Sequence, residues 1–142
     1  MAETHAVFGG EHSAHYYFSE FFNADSGILA AMHILAALGN QEKSLSELMA
    51  SYERYESSGE INTRLESQEA QQKRTQAVLD AFADRTESVD TLDGVTVQLQ
   101  DTPAWFSVRA SNTEPLLRLN VEAPTKDEVT ALVTEILDII RK

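Results

Sequence analysis

"WFSVRASNTEPLLRLNVEA", residues 105–123, decides the fold. Its second half alternates Leu117, Leu119 and Val121 with polar residues, the period-two signature of a strand with one buried face. Its first half, "WFSVRAS", reads as another strand, and Ser111, Asn112 and Thr113 between the two are turn formers. Moving outward toward the N-terminus, "DTPAW" (101–105) is a turn and "VTVQLQ" (95–100) alternates Val95, Val97 and Leu99. "INTRLE" (61–66) alternates Ile61, Thr63 and Leu65. Between these two strands Ser67 caps a helix with Ala70, Arg74, Ala77, Val78, Ala81 and Phe82 at helical spacing. Toward the C-terminus, Thr125 and Glu128 form a capping box ahead of Val129, Leu132, Val133, Ile136, Leu137 and Ile140. Residues 60–142 therefore read β-α-β-β-β-α. This is an α+β unit, a four-stranded, mostly antiparallel sheet with two helices on one face.

Residues 1–57 have a different texture, a loop followed by two helices. "AVFGG" (6–10) reads as a strand end running into a glycine turn. Asp25 is expected to cap "SGILAAMHILAAL", which Gly39 closes. That helix is apolar nearly all round and calls for protein on several sides. Ser44 and Glu47 form the capping box of a second helix, "LSELMASYERY", with Leu48, Met49 and Tyr52 as its apolar stripe. The polar "ESSGE" (56–60) marks the expected boundary. The first part resembles the tail of a domain and the second a whole one.

Composition narrows the function classes. The chain has 142 residues and a net charge of −12, which repels nucleic acid and anionic membrane alike. It has no cysteine, which excludes disulfides and thiolate metal sites and fits a reducing, cytoplasmic setting. The first twenty residues have no basic start and no apolar core, so no secretory signal is expected. The apolar run Ile28 to Leu38, interrupted by His33, falls far short of the ~20 residues a membrane span needs. An anion could bind such a chain only through a local cluster of arginines and backbone N–H groups.

One stretch offers that cluster. In "VRASNTEPLLR" (108–118), Arg109, Ser111, Asn112, Thr113 and Arg118 surround the turn, with hydroxyls, amides and two guanidinium forks suited to a phosphate. A plain polar hairpin, with Glu114 paired to an arginine, fits the residues equally well. A second stretch, "GGEHSAHYY" (9–17), gathers Glu11, His12, Ser13 and His15. A zinc site would draw on these, with His5 or His33 in reserve, but the spacing is not H-E-x-x-H. A Ser13 nucleophile activated by His15 lacks the G-x-S-x-G setting. A carbohydrate loop is the third possibility, because a carboxylate can accept from two adjacent sugar hydroxyls. An exposed polar loop is the fourth.

Taken together, the two stretches resemble the alpha-phosphohexomutase family of phosphomannomutases and phosphoglucomutases. "GGEHSAH" is similar to the family's sugar-binding loop, G-E-M-S-G-H. "RASNTEPLLR" is similar to its C-terminal phosphate loop, R-x-S-N-T-E-P-x-x-R. The resemblance implies that residues 1–57 are the end of a sugar-binding third domain. Residues 58–142 would be the fourth, a phosphate-binding domain with a TATA-binding-protein-like fold. It also implies an isomerase that moves phosphate between C1 and C6 of a hexose through a phosphoserine and a bisphosphate.

The implied roles fall on particular residues. Glu11, Ser13 and His15 would bind the sugar, and Arg109, Ser111, Asn112, Thr113 and Arg118 the non-reacting phosphate. The family's phosphoserine loop and its magnesium loop, D-G-D-x-D-R, do not occur here. Mg2+ is thus expected outside this segment, with no metal and no catalytic group within it. The expected partners are mannose or glucose 1- or 6-phosphate and the family's N-terminal domains, and the segment is expected to be inactive alone. A stand-alone sugar-phosphate-binding or regulatory module is the alternative. Two positions depart from the family pattern. His12 replaces Met or Gln, and Ala14 replaces Gly, a change that is tolerated only if the backbone there does not need a positive φ.

Overall fold

The computed structural model describes residues 1, 4–11, 13–111 and 113–142. The chain divides into two compact units, Met1–Tyr52 and Glu53–Lys142.

In the first unit, β1 (Phe8–Gly10), β2 (Tyr16–Phe18) and β3 (Ala24–Asp25) form a three-stranded antiparallel sheet. Strands β2 and β3 are too short to leave a periodic signal, which is why the sequence reads as loop there. Gly9 and Gly10 lie within β1, opposite Tyr17 and Tyr16, and not in a turn. The edge-on packing of Phe8 against Phe18 and the stacking of Phe18 on His33, both with ring centroids 5.3 Å apart, tie β1, β2 and helix α1 (Gly27–Gly39) together. The cap of α1 is Ser26, whose hydroxyl accepts from Leu29 N–H at 3.2 Å. Asp25 is instead a strand residue opposite Tyr17. Helix α1 has no buried residue, and Ile28, Met32 and Leu35 are each more than half exposed. Helix α2 (Leu45–Ala50) starts with the expected Ser44–Glu47 capping box. It stops well before the expected end at Tyr55, giving way to a turn at Ser51–Tyr52.

The second unit is a six-stranded antiparallel sheet with two helices on one face. Strands β4 (Glu56–Ser57) and β5 (Ile61–Arg64) pair end to end along one edge of β9 (Leu116–Ala123). On the other side of β9 follow β8 (Trp105–Ala110), β7 (Val95–Leu99) and β6 (Thr86–Asp90). The polar "ESSGE" is therefore part of the sheet edge. Between its two halves, Ser58 N–H donates to the Val121 carbonyl at 2.9 Å and Ser58 Oγ accepts from Val121 N–H at 2.9 Å. Strand β6 leaves no periodic signal and makes the sheet larger than the four strands expected, because "TESVD" is an exposed, charged edge strand, as edges that resist further pairing tend to be. The turn into β7 needs a glycine. Gly94 has φ +76°, and a Cβ there would stand 2.8 Å from the Val108 carbonyl oxygen.

Helices α3 (Gln68–Phe82) and α4 (Lys126–Ile140) cover one face, capped by Ser67 and by the Thr125–Glu128 box as expected. The core joins Val78 and Phe82 of α3, Ile136 and Ile140 of α4, and Val97, Phe106, Val108, Leu117, Leu119 and Val121 from the sheet. Each such fully buried apolar side chain stabilises the fold by about 1.5–3 kcal/mol. Strand alternation leaves Ser107, Arg109, Arg118 and Asn120 on the opposite, open face.

Candidate functional site

The first cluster is a tight hairpin between β1 and β2. Glu11 N–H donates to the His15 carbonyl at 2.9 Å and Ala14 N–H to the Glu11 carbonyl at 3.0 Å. Ala14 has φ +64°, so this turn uses a left-handed residue at the position where the resembling loop has glycine. The departure thus carries strain of about 1–2 kcal/mol. The turn gathers polar side chains. Ser13 Oγ donates to Glu11 Oε2 at 3.1 Å and the Tyr17 hydroxyl to Glu11 Oε1 at 2.5 Å. His15 Nδ1 bonds Asp25 Oδ2 at 2.8 Å. The hydrogen bond to Asp25, then the charges of Asp25 and Glu11, hold His15 above its ordinary pKa of 6.5. The bond to Glu11 likewise raises the Tyr17 phenol.

Glu11, Ser13 and His15 therefore share one exposed turn, where a carboxylate, a hydroxyl and an imidazole can meet vicinal hydroxyls. Ser13 turns its hydroxyl to Glu11, which is not the geometry of a serine activated by His15. Among the described residues no group of three or more His, Asp or Glu side chains could hold a metal. His12 lies outside the described residues. Two members of this cluster were not legible as such. In the sequence Tyr17 only follows the loop, and Asp25 reads as a helix cap.

The second cluster is the loop between β8 and β9. Ser111 is 7% exposed. Its N–H donates to the Leu116 carbonyl at 2.8 Å, and its Oγ accepts from Glu114 N–H at 3.3 Å and lies 3.4 Å from Thr113 Oγ1. Asn112 lies outside the described residues. A residue from α3 holds the loop from below. Gln71, 2% exposed, donates from Nε2 to the carbonyls of Leu116 at 2.9 Å and Glu114 at 3.3 Å. A lone glutamine in the polar first turns of α3, on the same buried face as Val78 and Phe82, carries no sequence signal of this role. Leu65 N–H adds a bond to the Pro115 carbonyl at 2.8 Å.

Arg109 and Arg118 stand directly opposite each other on β8 and β9. Like charges in that relation repel. Each leans on a carboxylate: Arg109 Nη1 is 3.0 Å from Asp93 Oδ2, and Arg118 Nη1 is 3.7 Å from Glu60 Oε2. Arg118 therefore pairs with Glu60, not Glu114. Its Nε is buried with no partner among the described residues, a donor still open to an acceptor. Two facing guanidiniums beside a loop that carries the hydroxyls of Ser111 and Thr113 form a local concentration of positive groups in a chain of charge −12.

Residues 60–139 match the family model "Phosphoglucomutase/phosphomannomutase, C-terminal domain", and residues 1–55 match "Phosphoglucomutase/phosphomannomutase, alpha/beta/alpha domain III". The chain belongs to the phosphoglucomutase/phosphomannomutase family. The hairpin falls in the domain III match and the arginine-flanked loop in the C-terminal one. The chain is 39% identical over its whole length to a phosphomannomutase of Methanocaldococcus jannaschii, of which it covers 30%. It is 38% identical over 98% of its length to the phosphohexose mutases of Xanthomonas campestris, again covering 30%. Its identity to a probable phosphoglucosamine mutase of Methanopyrus kandleri is 32% over 100% of the chain. A phosphoglucomutase/phosphomannomutase family protein of Burkholderia thailandensis shares the fold, with TM-score 0.73 at 23% identity over 99% of this chain and 30% of that one. The chain thus spans about a third of the length of these relatives and corresponds to their C-terminal portion. No helix of the described residues is long and apolar enough to cross a membrane.

Proposed function

We propose that this chain is the C-terminal substrate-binding part of a cytoplasmic phosphohexomutase that interconverts hexose 1- and 6-phosphates, with mannose and glucose phosphates as substrates. Residues up to Tyr52 act as the end of the sugar-binding domain and Glu53–Lys142 as the phosphate-binding domain, whose sheet includes β4 and so takes in residues 56–57. The paired guanidiniums of Arg109 and Arg118 beside the Ser111–Thr113 loop carry this reading. With Asn112, they hold the phosphate that is not reacting.

Glu11 accepts from adjacent ring hydroxyls, Ser13 bonds a third group, and His15, oriented by its Nδ1 bond to Asp25, bonds the sugar or its phosphate. A mutase must hold an inert phosphate whichever end of the sugar it comes from, and this task needs fixed donors and no activated nucleophile. The phosphoserine and Mg2+ of the whole enzyme belong to N-terminal domains that this segment docks against. The exposed apolar side of α1 supports that docking over a self-sufficient binding module.

The test uses the isolated chain with mannose 1-phosphate and glucose 1-phosphate. No turnover is expected, with weak binding that moves the amide resonances of residues 11–15 and 109–118. Turnover by the chain alone would refute the assignment, as would an absence of shifts in both loops.

A further inference from the structure

The open face of the sheet carries a third arginine that the phosphate-loop motif does not include. Strand β5 runs antiparallel to β9 with Asn62 opposite Arg118 and Arg64 opposite Leu116. Thr63 is buried on the helix side, while Asn62 and Arg64 are exposed, so alternation puts Arg64 on the face of Arg109 and Arg118. Arg64 is the diagonal neighbour of Arg118, ~7–8 Å away at the backbone and within reach of a long side chain. It also adjoins the loop itself. Its strand partner Leu116 is the first residue after the loop, and the next residue, Leu65, is bonded to the loop carbonyl of Pro115.

The charges on this face are unequal in use. Arg109 is neutralised by Asp93 and Arg118 by Glu60. Arg64 has no ion pair or side-chain hydrogen bond among the described residues. The two paired arginines leave the site near neutrality, yet a phosphate monoester carries about −1.5 to −2 charge at pH 7. Arg64 supplies the net positive charge that such a ligand needs, on a fork that can take two phosphate oxygens at once.

We infer that Arg64 is a further phosphate-binding residue, completing a triad with Arg109 and Arg118 that takes the dianionic phosphate of the sugar substrate. This rests on the phosphate-site reading above. The experiment titrates the 142-residue chain with inorganic phosphate and with glucose 1-phosphate, comparing wild type with R64Q, R109Q and R141Q. The last removes an equal charge at the far end of α4. R64Q is expected to weaken binding about five- to tenfold, one charge-assisted contact at an exposed site. R141Q should bind as wild type, and the Arg64 Nε–H resonance of the wild-type chain should move on adding phosphate.

If R64Q matches R141Q while R109Q still weakens binding, or if the Arg64 resonance stays still, Arg64 is an ordinary surface charge and the inference falls alone. If R109Q binds as wild type, or the wild-type chain binds neither ligand, the phosphate-site reading falls and takes this inference with it.

Discussion

Replacing Gln71 with alanine is expected to destabilise the second unit by about 2 kcal/mol and to loosen the phosphate loop. The side chain is buried and donates two hydrogen bonds, at 2.9 and 3.3 Å, to carbonyls of the loop. Those bonds are together worth about 1.5 kcal/mol. The full desolvation penalty does not apply, since each carbonyl keeps a second donor, Leu116 N–H on Glu114 and Ser111 N–H on Leu116. The lost methylene and residual cavity add about 1 kcal/mol, and alanine's better helix propensity returns about 0.4 kcal/mol.

Trp105, the single tryptophan, lies on β8 and reports the unfolding of this unit. A urea midpoint lower by about 1–2 M is expected. Gln71→Glu is the sharper variant, because it faces two carbonyl oxygens with a carboxylate and no donor. It should cost about 3–5 kcal/mol at pH 7. Its folded pKa would be raised, so stability is retained below the unfolded value of about 4.3 and lost as pH rises through the folded one. An alanine variant within about 0.3 M of the wild-type midpoint, or a glutamate variant more stable than the alanine one at pH 7, would refute the clamp.

Ala14→Gly should relieve about 1–2 kcal/mol of left-handed strain against about 0.5–1 kcal/mol of added unfolded-state entropy. Slower amide exchange at Glu11 and at position 14, by a net of about 0.5–1 kcal/mol, is the readout. Faster exchange would show that the turn prefers alanine. Asp25→Asn should lower the His15 pKa, read from the imidazole C–H resonances. Because the folded His15 value is raised, the stabilisation from this pair is present in full below about pH 6.5. It disappears as pH rises through the folded value. An unchanged titration would remove Asp25 from the site.

Much of the C-terminal unit could be read from the sequence because its signals are local and strong. The alternation of Leu117, Leu119 and Val121 leaves one register that buries all three, and they are fully buried. Ser67, Thr125 and Glu128 mark helix starts through bonds made within three residues. The turn in "RASNTEPLLR" was legible because its turn formers are contiguous in sequence, and it does join β8 to β9. The first unit was harder. Its strands are two or three residues long, and a two-residue strand such as Ala24–Asp25 has no period to detect.

The elements that carry their own periodicity or caps, the excess of negative charge and the residue types of both loops are all written locally along the chain. Tertiary structure alone decided who holds them. Gln71 reaches the loop from another element, 45 residues away from Leu116. Asp25 meets His15 only because β3 pairs beside β2. Arg64 joins Arg109 and Arg118 only because β5 pairs with β9 at this register. Such contacts depend on which strands become neighbours. That choice is made when the helices and the sheet bury their apolar faces together, and no short window of sequence records it.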